Sequence, residues 1–141
     1  MQTESEIEVR YAETDQMGIV HHSVYPIWYE VARTDFTNYI GMAYAQMEKE
    51  GVMTPLVELT SHYLKPAYYG EKIMVITRVE KITPARIVFA YEVYCKKELI
   101  NTGTTMHAWT DNNLKPMNLK KQKPSLYNLI QKTKEKPEEI V

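Results

Sequence analysis

The stretch Ser23-Val24-Tyr25-Pro26-Ile27-Trp28-Tyr29-Glu30-Val31-Ala32-Arg33-Thr34-Asp35-Phe36-Thr37-Asn38-Tyr39-Ile40-Gly41-Met42-Ala43-Tyr44-Ala45-Gln46-Met47-Glu48-Lys49-Glu50-Gly51 decides the fold. Within it Val24, Trp28, Val31, Ala32, Tyr39, Ile40, Ala43 and Met47 recur at spacings of three and four. That period belongs to a helix with one apolar face. The spacing predicts a helix from about Val24 to Glu50. Ser23 is placed to cap its start, Pro26 fits only in the first turn, and Gly51 stops it. Gly41 divides it into a longer and a shorter piece.

On either side the period changes to two. Before the helix, Ile7, Val9 and Tyr11 alternate with Glu6, Glu8 and Arg10, which reads as a strand ending at Tyr11. After it come Met53, Val57, Leu59, Ser61 and Tyr63, then Ile73, Val75, Thr77 and Val79. Ile87, Phe89, Tyr91, Val93 and Cys95 follow, and then a Thr-rich run from Leu99 to Thr110. Pro, Gly and charged residues separate these runs, as hairpin connections require. The order is β-α-β-β-β-β. A strongly apolar helix beside one antiparallel sheet of about five strands predicts an α+β domain whose sheet wraps the helix. Ser125 to Lys134 predicts a short C-terminal helix with Leu126, Tyr127, Leu129 and Ile130 on its apolar face.

The chain has 141 residues, which is one ordinary domain. We read residues 1–141 as a single domain with its core over about 5–120 and a basic C-terminal segment over 112–141. One cysteine, Cys95, excludes an intramolecular disulfide framework and a Cys-only metal site. Seventeen Lys and Arg against 18 Asp and Glu give no global signal for nucleic acid. No apolar run approaches the roughly 18–20 residues that span a bilayer. The acidic start, Met1 to Glu6, lacks the apolar stretch of a signal peptide, so the expected location is the cytoplasm. The unusual count is 11 Tyr against 2 Phe and 2 Trp. Tyr has an apolar body and a polar tip, so this excess predicts half-wet surfaces shared with a ligand or a partner.

The chemistry-bearing residues gather before the helix. Tyr11 closes the first run, Asp15 lies in the following loop, Gly18 turns it, and His22 stands beside the helix start. Unsatisfied N–H groups and the dipole at a helix start favour a nearby carboxylate, and the same groups hold a developing oxyanion. A carboxylate facing a polarised carbonyl suits acyl-group hydrolysis, with Asp15 as nucleophile or as general base on water. From spacing alone Asp15 is equally a solvent-facing turn residue, and His22 a structural hydrogen-bonder. His21 and His22, adjacent in sequence, are expected to point in different directions, and no ligand spacing for a metal is present.

The segment Tyr11-Ala12-Glu13-Thr14-Asp15-Gln16-Met17-Gly18-Ile19-Val20-His21-His22-Ser23-Val24-Tyr25, continuing through Trp28, Glu30 and Ala32-Arg33, resembles the signature of the 4-hydroxybenzoyl-CoA thioesterase family, in its YbgC-like branch. Tyr63-Leu64-Lys65-Pro66-Ala67-Tyr68-Tyr69-Gly70-Glu71 is similar to that family's strand-turn-strand segment. The resemblance covers roughly residues 5–120 and implies the hotdog fold, with a long central helix wrapped by the sheet. It implies a homodimer or homotetramer with active sites between subunits. It also implies an acyl-CoA thioesterase in which Asp15 is the essential carboxylate, the His22 N–H polarises the carbonyl, and the His22 side chain and Tyr11 assist. Gly18, Val20 and Tyr25 then fall on the substrate pocket. The segment departs from the commonest pattern at His21, where an aromatic or aliphatic residue is frequent.

Coenzyme A carries phosphates, so a basic rim is expected, and Lys65, Arg86 and Lys115 sit at turns that can flank a mouth. Taken singly, each reads first as an ordinary solubility charge. Residues 112–134 hold six lysines and no acid, a surface able to meet coenzyme A, an acidic acyl carrier protein or an anionic lipid. No metal and no cofactor is expected beyond the coenzyme A of the substrate. Cys95 reads as a small buried side chain. Glu58 and His62 share one face of a strand. Two other readings stand beside hydrolysis: a hydratase or dehydratase of acyl thioesters on the same fold, and a non-catalytic acyl-CoA-binding protein. The acyl chain is not legible, because two subunits would form its pocket.

Overall fold

The computed structural model describes residues 1–135 and 139–141. Residues 136–138 of the basic C-terminal segment lie outside the described residues. The elements are β1 (Thr3–Glu8), α1 (Tyr25–Tyr39), α2 (Tyr44–Lys49), β2 (Leu56–Tyr63), β3 (Lys72–Ile82), β4 (Arg86–Cys95), β5 (Glu98–Ala108), α3 (Leu119–Gln122) and α4 (Pro124–Thr133). The five strands form one antiparallel sheet in the order β1-β3-β4-β5-β2, so β1 and β2 are its edges. This is the wrapped-helix α+β architecture that the periodicity predicts.

The helix divides where Gly41 stands. Gly41 takes φ +85°, a left-handed conformation that costs glycine nothing, and its N–H closes α1 on the Asn38 carbonyl. Pro26 occupies the first turn of α1, where its missing N–H is not needed. Trp28, Tyr29, Ala32 and Phe36 on α1 are buried against Ile73, Val75, Ile87, Phe89, Tyr91 and Val93 of the sheet. Each fully buried side chain of this size contributes about 1.5–3 kcal/mol. The C-terminal helix closes the far end through Leu126 and Ile130, and Leu129 and Tyr127 are only half-buried.

Three strand boundaries differ from the sequence reading. β1 ends at Glu8, and Tyr11 sits in a single 3₁₀ turn, Tyr11–Glu13, with its ring 76% exposed. The alternation carried to Tyr11 in the sequence, but the chain turns after Val9, whose N–H bonds the Glu71 carbonyl. β2 begins at Leu56 and β5 ends at Ala108. Met53 and Thr110 continue only as an isolated bridge, because β2 shifts register between Leu56 and Glu58.

Three of the tyrosines, Tyr25, Tyr29 and Tyr91, are buried inside the chain. Tyr29 and Tyr91 stack with centroids 4.4 Å apart, and the Tyr29 hydroxyl is held by Ser61 and Asn101. A directed chain of hydrogen bonds fastens α1 to the sheet. Arg33 Nη1 donates to the Tyr91 hydroxyl at 3.0 Å, and Tyr91 meets Thr105 Oγ1 at 2.6 Å. Thr105 meets His107 Nε2 at 2.9 Å, and His107 Nδ1 meets the Thr54 carbonyl at 3.0 Å. A carbonyl only accepts, so Nδ1 carries the proton and Nε2 accepts from Thr105. Every member is thereby satisfied with His107 neutral. Burial, seconded by the Arg33 charge, lowers the His107 pKa to about 4.

Candidate active site

The loop before α1 is folded on itself. The His21 N–H bonds the Glu13 carbonyl at 2.9 Å, Thr14 and Val20 form an isolated bridge, and the Asp15 N–H bonds the Ile19 carbonyl at 2.9 Å. Gly18 takes φ +80° at the tip, and its N–H returns to the Asp15 carbonyl at 2.9 Å. The Asp15 side chain completes an Asx turn, with Oδ1 accepting from the Met17 N–H at 2.8 Å. That bond fixes the carboxylate plane and leaves Oδ2 without a protein donor among the described residues.

The helix start faces the same space. His22–Val24 form a 3₁₀ turn that runs directly into α1. The His21 carbonyl points into this turn, accepting from the Val24 N–H at 3.0 Å. In a trans peptide the C=O and the next N–H point in opposite directions. The His22 N–H therefore points out of the helix start, and it has no protein acceptor among the described residues. Tyr63 of β2 donates its hydroxyl to the His22 carbonyl at 2.8 Å.

Asp15, Met17, Ile19, Val20, His22, Tyr25, Tyr63, Leu64, Lys65 and Pro66 line one open groove of about 310 Å³. The structure thus brings Asp15, Val20, His22, Tyr25 and Lys65 together. Gly18 shapes the loop from outside that wall. Tyr25 is buried edge-on between Trp28 and Tyr63, and burial, with Tyr63 next, pushes its hydroxyl up to about 12. Tyr25 is therefore a neutral aromatic wall of the groove at ordinary pH.

Other expected residues lie elsewhere. Tyr11 is outside the groove, edge-on to Tyr69 with centroids 5.6 Å apart. Lys65 is ion-paired with Glu98. Arg86 begins β4 beside Met106, and Lys115 lies in the turn closed by Asp111. Both are at the sheet end opposite the groove. The register sets Tyr63 against Asn101 and Leu56 against His107, so at about 3.3 Å per residue the two ends are about 20 Å apart. Glu58 and His62 point to the sheet face away from α1, and Cys95 is buried with its thiol donating to Glu71 at 3.3 Å.

The two histidines do not diverge as their adjacency suggests. Their ring centroids lie 4.1 Å apart with the planes tilted by 32°, and His21 Nδ1 turns back to accept the Ser23 N–H. Among the described residues no group of three or more His, Cys, Asp or Glu could hold a metal ion. No described helix is long and apolar enough to cross a membrane.

Sequence reasoning passed over Glu13 and the Tyr63–His22 bond. Tyr63 read as one of several tyrosines at a strand turn suited to a pocket or seam, and only the fold places its hydroxyl against the helix start. Glu13 is a carboxylate 6% exposed, and a charged residue in a loop gives no sequence signal of burial.

A family model for the thioesterase-like superfamily matches residues 9–140. The chain belongs to that superfamily. The structure of a DHNA-CoA thioesterase from Staphylococcus aureus superposes with a TM-score of 0.90 at 38% identity, over 96% of this chain and 93% of that one. YneP of Bacillus subtilis (strain 168), which carries a provisional acyl-CoA thioesterase name, is 40% identical over 134 residues, 94% of this chain and 97% of that protein. The acyl-CoA thioester hydrolase YbgC of Escherichia coli O6:H1 is 25% identical over 117 residues, 82% of this chain and 87% of that protein. The hotdog fold and the YbgC-like resemblance read from the sequence are both borne out, and this thioesterase is a thioester hydrolase.

Proposed function

We propose that this thioesterase hydrolyses acyl-CoA to free acid and coenzyme A, using Asp15 and the His22 N–H. The observation that carries the proposal is their convergence on one groove: a carboxylate with a free oxygen and an outward N–H at a helix start. The His22 N–H receives the thioester carbonyl oxygen and holds the negative charge that develops on it. Removing one such donor typically costs about 10²–10³ in rate. Asp15 takes a proton from water as the water oxygen attacks the carbonyl carbon. The C–S bond then breaks, and the coenzyme A thiolate leaves and picks up a proton. In the nucleophilic version Asp15 attacks first, and water hydrolyses the resulting anhydride. Both routes use only this chain's groups and water. The His22 imidazole is exposed on the groove and is placed to relay the leaving proton.

The partners follow from the two ends of the sheet. β2 is an edge strand with Leu56, Val57, Leu59 and Tyr63 exposed, and an exposed apolar edge of this kind is a template for a second copy. Antiparallel pairing of two β2 strands across a two-fold axis lays one copy's Arg86 and Lys115 end beside the other's Asp15 groove. Those residues then complete the phosphate rim begun by Lys65. The six lysines of 112–134, with no carboxylate within ion-pair range among the described residues, extend this rim toward coenzyme A or an acidic acyl carrier protein.

The test is thiol release from a panel of aryl, short, medium and long acyl-CoAs, with product analysis. Hydrolysis of at least one, and its loss by 10²-fold or more in a folded Asp15→Asn variant, is the expected result. Retention of near wild-type turnover by Asp15→Asn overturns the assignment. Release of no thiol from any member points to the binder, and conversion without thiol release points to the hydratase class.

A further inference from the structure

We infer that Glu13 is the positioning residue that fixes Asp15 against the helix start, an inference that rests on the hydrolytic reading above. Glu13 is buried, yet it lies outside the groove and touches no substrate position. Its carboxylate is fully engaged. Oε1 accepts the Arg10 N–H at 2.8 Å, and Oε2 accepts the Trp28 indole N–H at 3.1 Å and Arg10 Nη2 at 3.4 Å. Its own carbonyl accepts the His21 N–H at 2.9 Å.

One residue therefore joins three segments. Arg10 leads from β1, Trp28 belongs to the first turns of α1, and His21 precedes the helix start whose N–H is to hold the oxyanion. Asp15 follows Glu13 by two residues. The intervening backbone is closed by the Thr14–Val20 bridge and the Asp15–Ile19 bond, and its far side is tied to the β2–β3 connection by the Val20 N–H on the Ala67 carbonyl at 2.9 Å and by the Ile19–Tyr68 bridge. At the root, the Glu13–Trp28 bond is the side-chain link that sets the loop against α1. Trp28 is itself immobile, being buried and in edge contact with Tyr25 at 4.8 Å. A displacement of about 1 Å at a reacting group can cost ~10²-fold in rate while leaving the binding surface almost intact.

Glutamine has the same shape but replaces one accepting oxygen with a donor. In Glu13→Gln an NH₂ group must face either the Arg10 N–H or the Trp28 indole N–H, so one of the two bonds becomes a donor–donor clash. The side chain shifts, and the Asp15 root shifts with it.

The experiment compares kcat and KM for an acyl-CoA that the wild type hydrolyses, together with thermal unfolding, in Glu13→Gln, Trp28→Phe and the double variant. The expected result is a fall of kcat by ~10–100-fold at a KM within ~2-fold in each single variant. The double variant should fall no further than the worse single, since both cut one connection. Activity loss that only tracks the unfolded fraction, a rise in KM at constant kcat, or a kcat within threefold of wild type overturns the inference. If Glu13→Gln does not fold, Trp28→Phe decides by the same criteria, because it removes the indole donor while keeping an aromatic ring, and thermal unfolding reads separately the packing lost with the smaller ring. Failure of the hydrolytic reading looks different: the wild type itself then releases no thiol.

Discussion

The Tyr63 hydroxyl on β2 donates to the His22 carbonyl oxygen at 2.8 Å and so ties the sheet's edge strand to the helix start. Tyr63 also packs edge-on against Tyr25, with centroids 5.1 Å apart. The bond holds the 3₁₀ turn from the side opposite the outward N–H. Tyr63→Phe keeps the ring contact and deletes only the bond. A hydrogen bond of this kind contributes about 0.5–1.5 kcal/mol, so kcat should fall by roughly 2- to 12-fold with little change in Tm. Steady-state kinetics on the preferred acyl-CoA check this. A turnover equal to wild type would show that the turn holds its place without Tyr63.

The phosphate rim proposed above predicts a salt effect. Lys65, Arg86 and Lys115 are exposed, so any attraction they exert on a polyanionic substrate is screened once the Debye length falls from about 14 Å at 0.05 M to about 4 Å at 0.5 M. KM should rise several-fold across that range with kcat nearly constant. Arg86→Gln and Lys115→Gln should each raise KM at low salt and flatten its salt dependence. A KM that does not respond to salt removes electrostatic docking from the account.

Gly103 predicts a packing cost. It lies on β5 beneath the Tyr29 ring, and a Cβ there would approach Tyr29 Cε2 and the Thr60 carbonyl oxygen to 2.6 Å. Neither can withdraw cheaply. Tyr29 is stacked on Tyr91, and the Thr60 carbonyl belongs to the β2–β5 pair. Gly103→Ala should therefore lower the unfolding free energy by about 1–3 kcal/mol at an unchanged m-value in urea. A loss under about 0.5 kcal/mol would mean that the ring moves aside.

Periodicity made the helix and the sheet legible, because a buried face repeats and each repeat adds to the signal. Gly41 was readable for a related reason: a glycine inside an apolar helical pattern marks a break. Asp15 and His22 were singled out by the resemblance to a known family, since spacing to the helix start alone left them a turn residue and a structural hydrogen-bonder. Tyr11 was not placed correctly, since alternation continues through Arg10 while the backbone turns after Val9, whose N–H bonds the Glu71 carbonyl and whose carbonyl accepts the Gly70 N–H. Glu13 was invisible because nothing local to it differs from a solvated loop carboxylate. Its burial comes from Trp28, fifteen residues away on another element. The excess of Tyr predicted a half-wet groove, and Tyr25 and Tyr63 do line one. Tyr29 and Tyr91 show the other use of the phenol, a dry core position whose hydroxyl has partners waiting.

The chain from Arg33 to Thr54 makes stability depend on pH. Its direction runs one way: Arg33 donates to Tyr91, Tyr91 to Thr105, Thr105 to His107, and His107 to the Thr54 carbonyl. Protonating Nε2 would put two donors face to face at Thr105, and turning Thr105 around would set Tyr91 against Arg33, which cannot accept. The folded state therefore resists the proton, consistent with a pKa lowered from 6.5 to about 4 by burial first and Arg33 second. The unfolded chain takes that proton at about 6.5. Stability from His107 is thus fully present above pH 6.5, is lost as pH falls from 6.5 toward 4, and changes no further below that. At 1.36 kcal/mol per unit the loss approaches about 3 kcal/mol. In His107→Gln an amide N–H can still donate toward Thr54 and a carbonyl can still accept from Thr105, with nothing to titrate. The unfolding free energies of wild type and His107→Gln, measured in urea from pH 7.5 to 4, should therefore converge by about that amount as pH falls. Parallel curves would place the missing proton on another group.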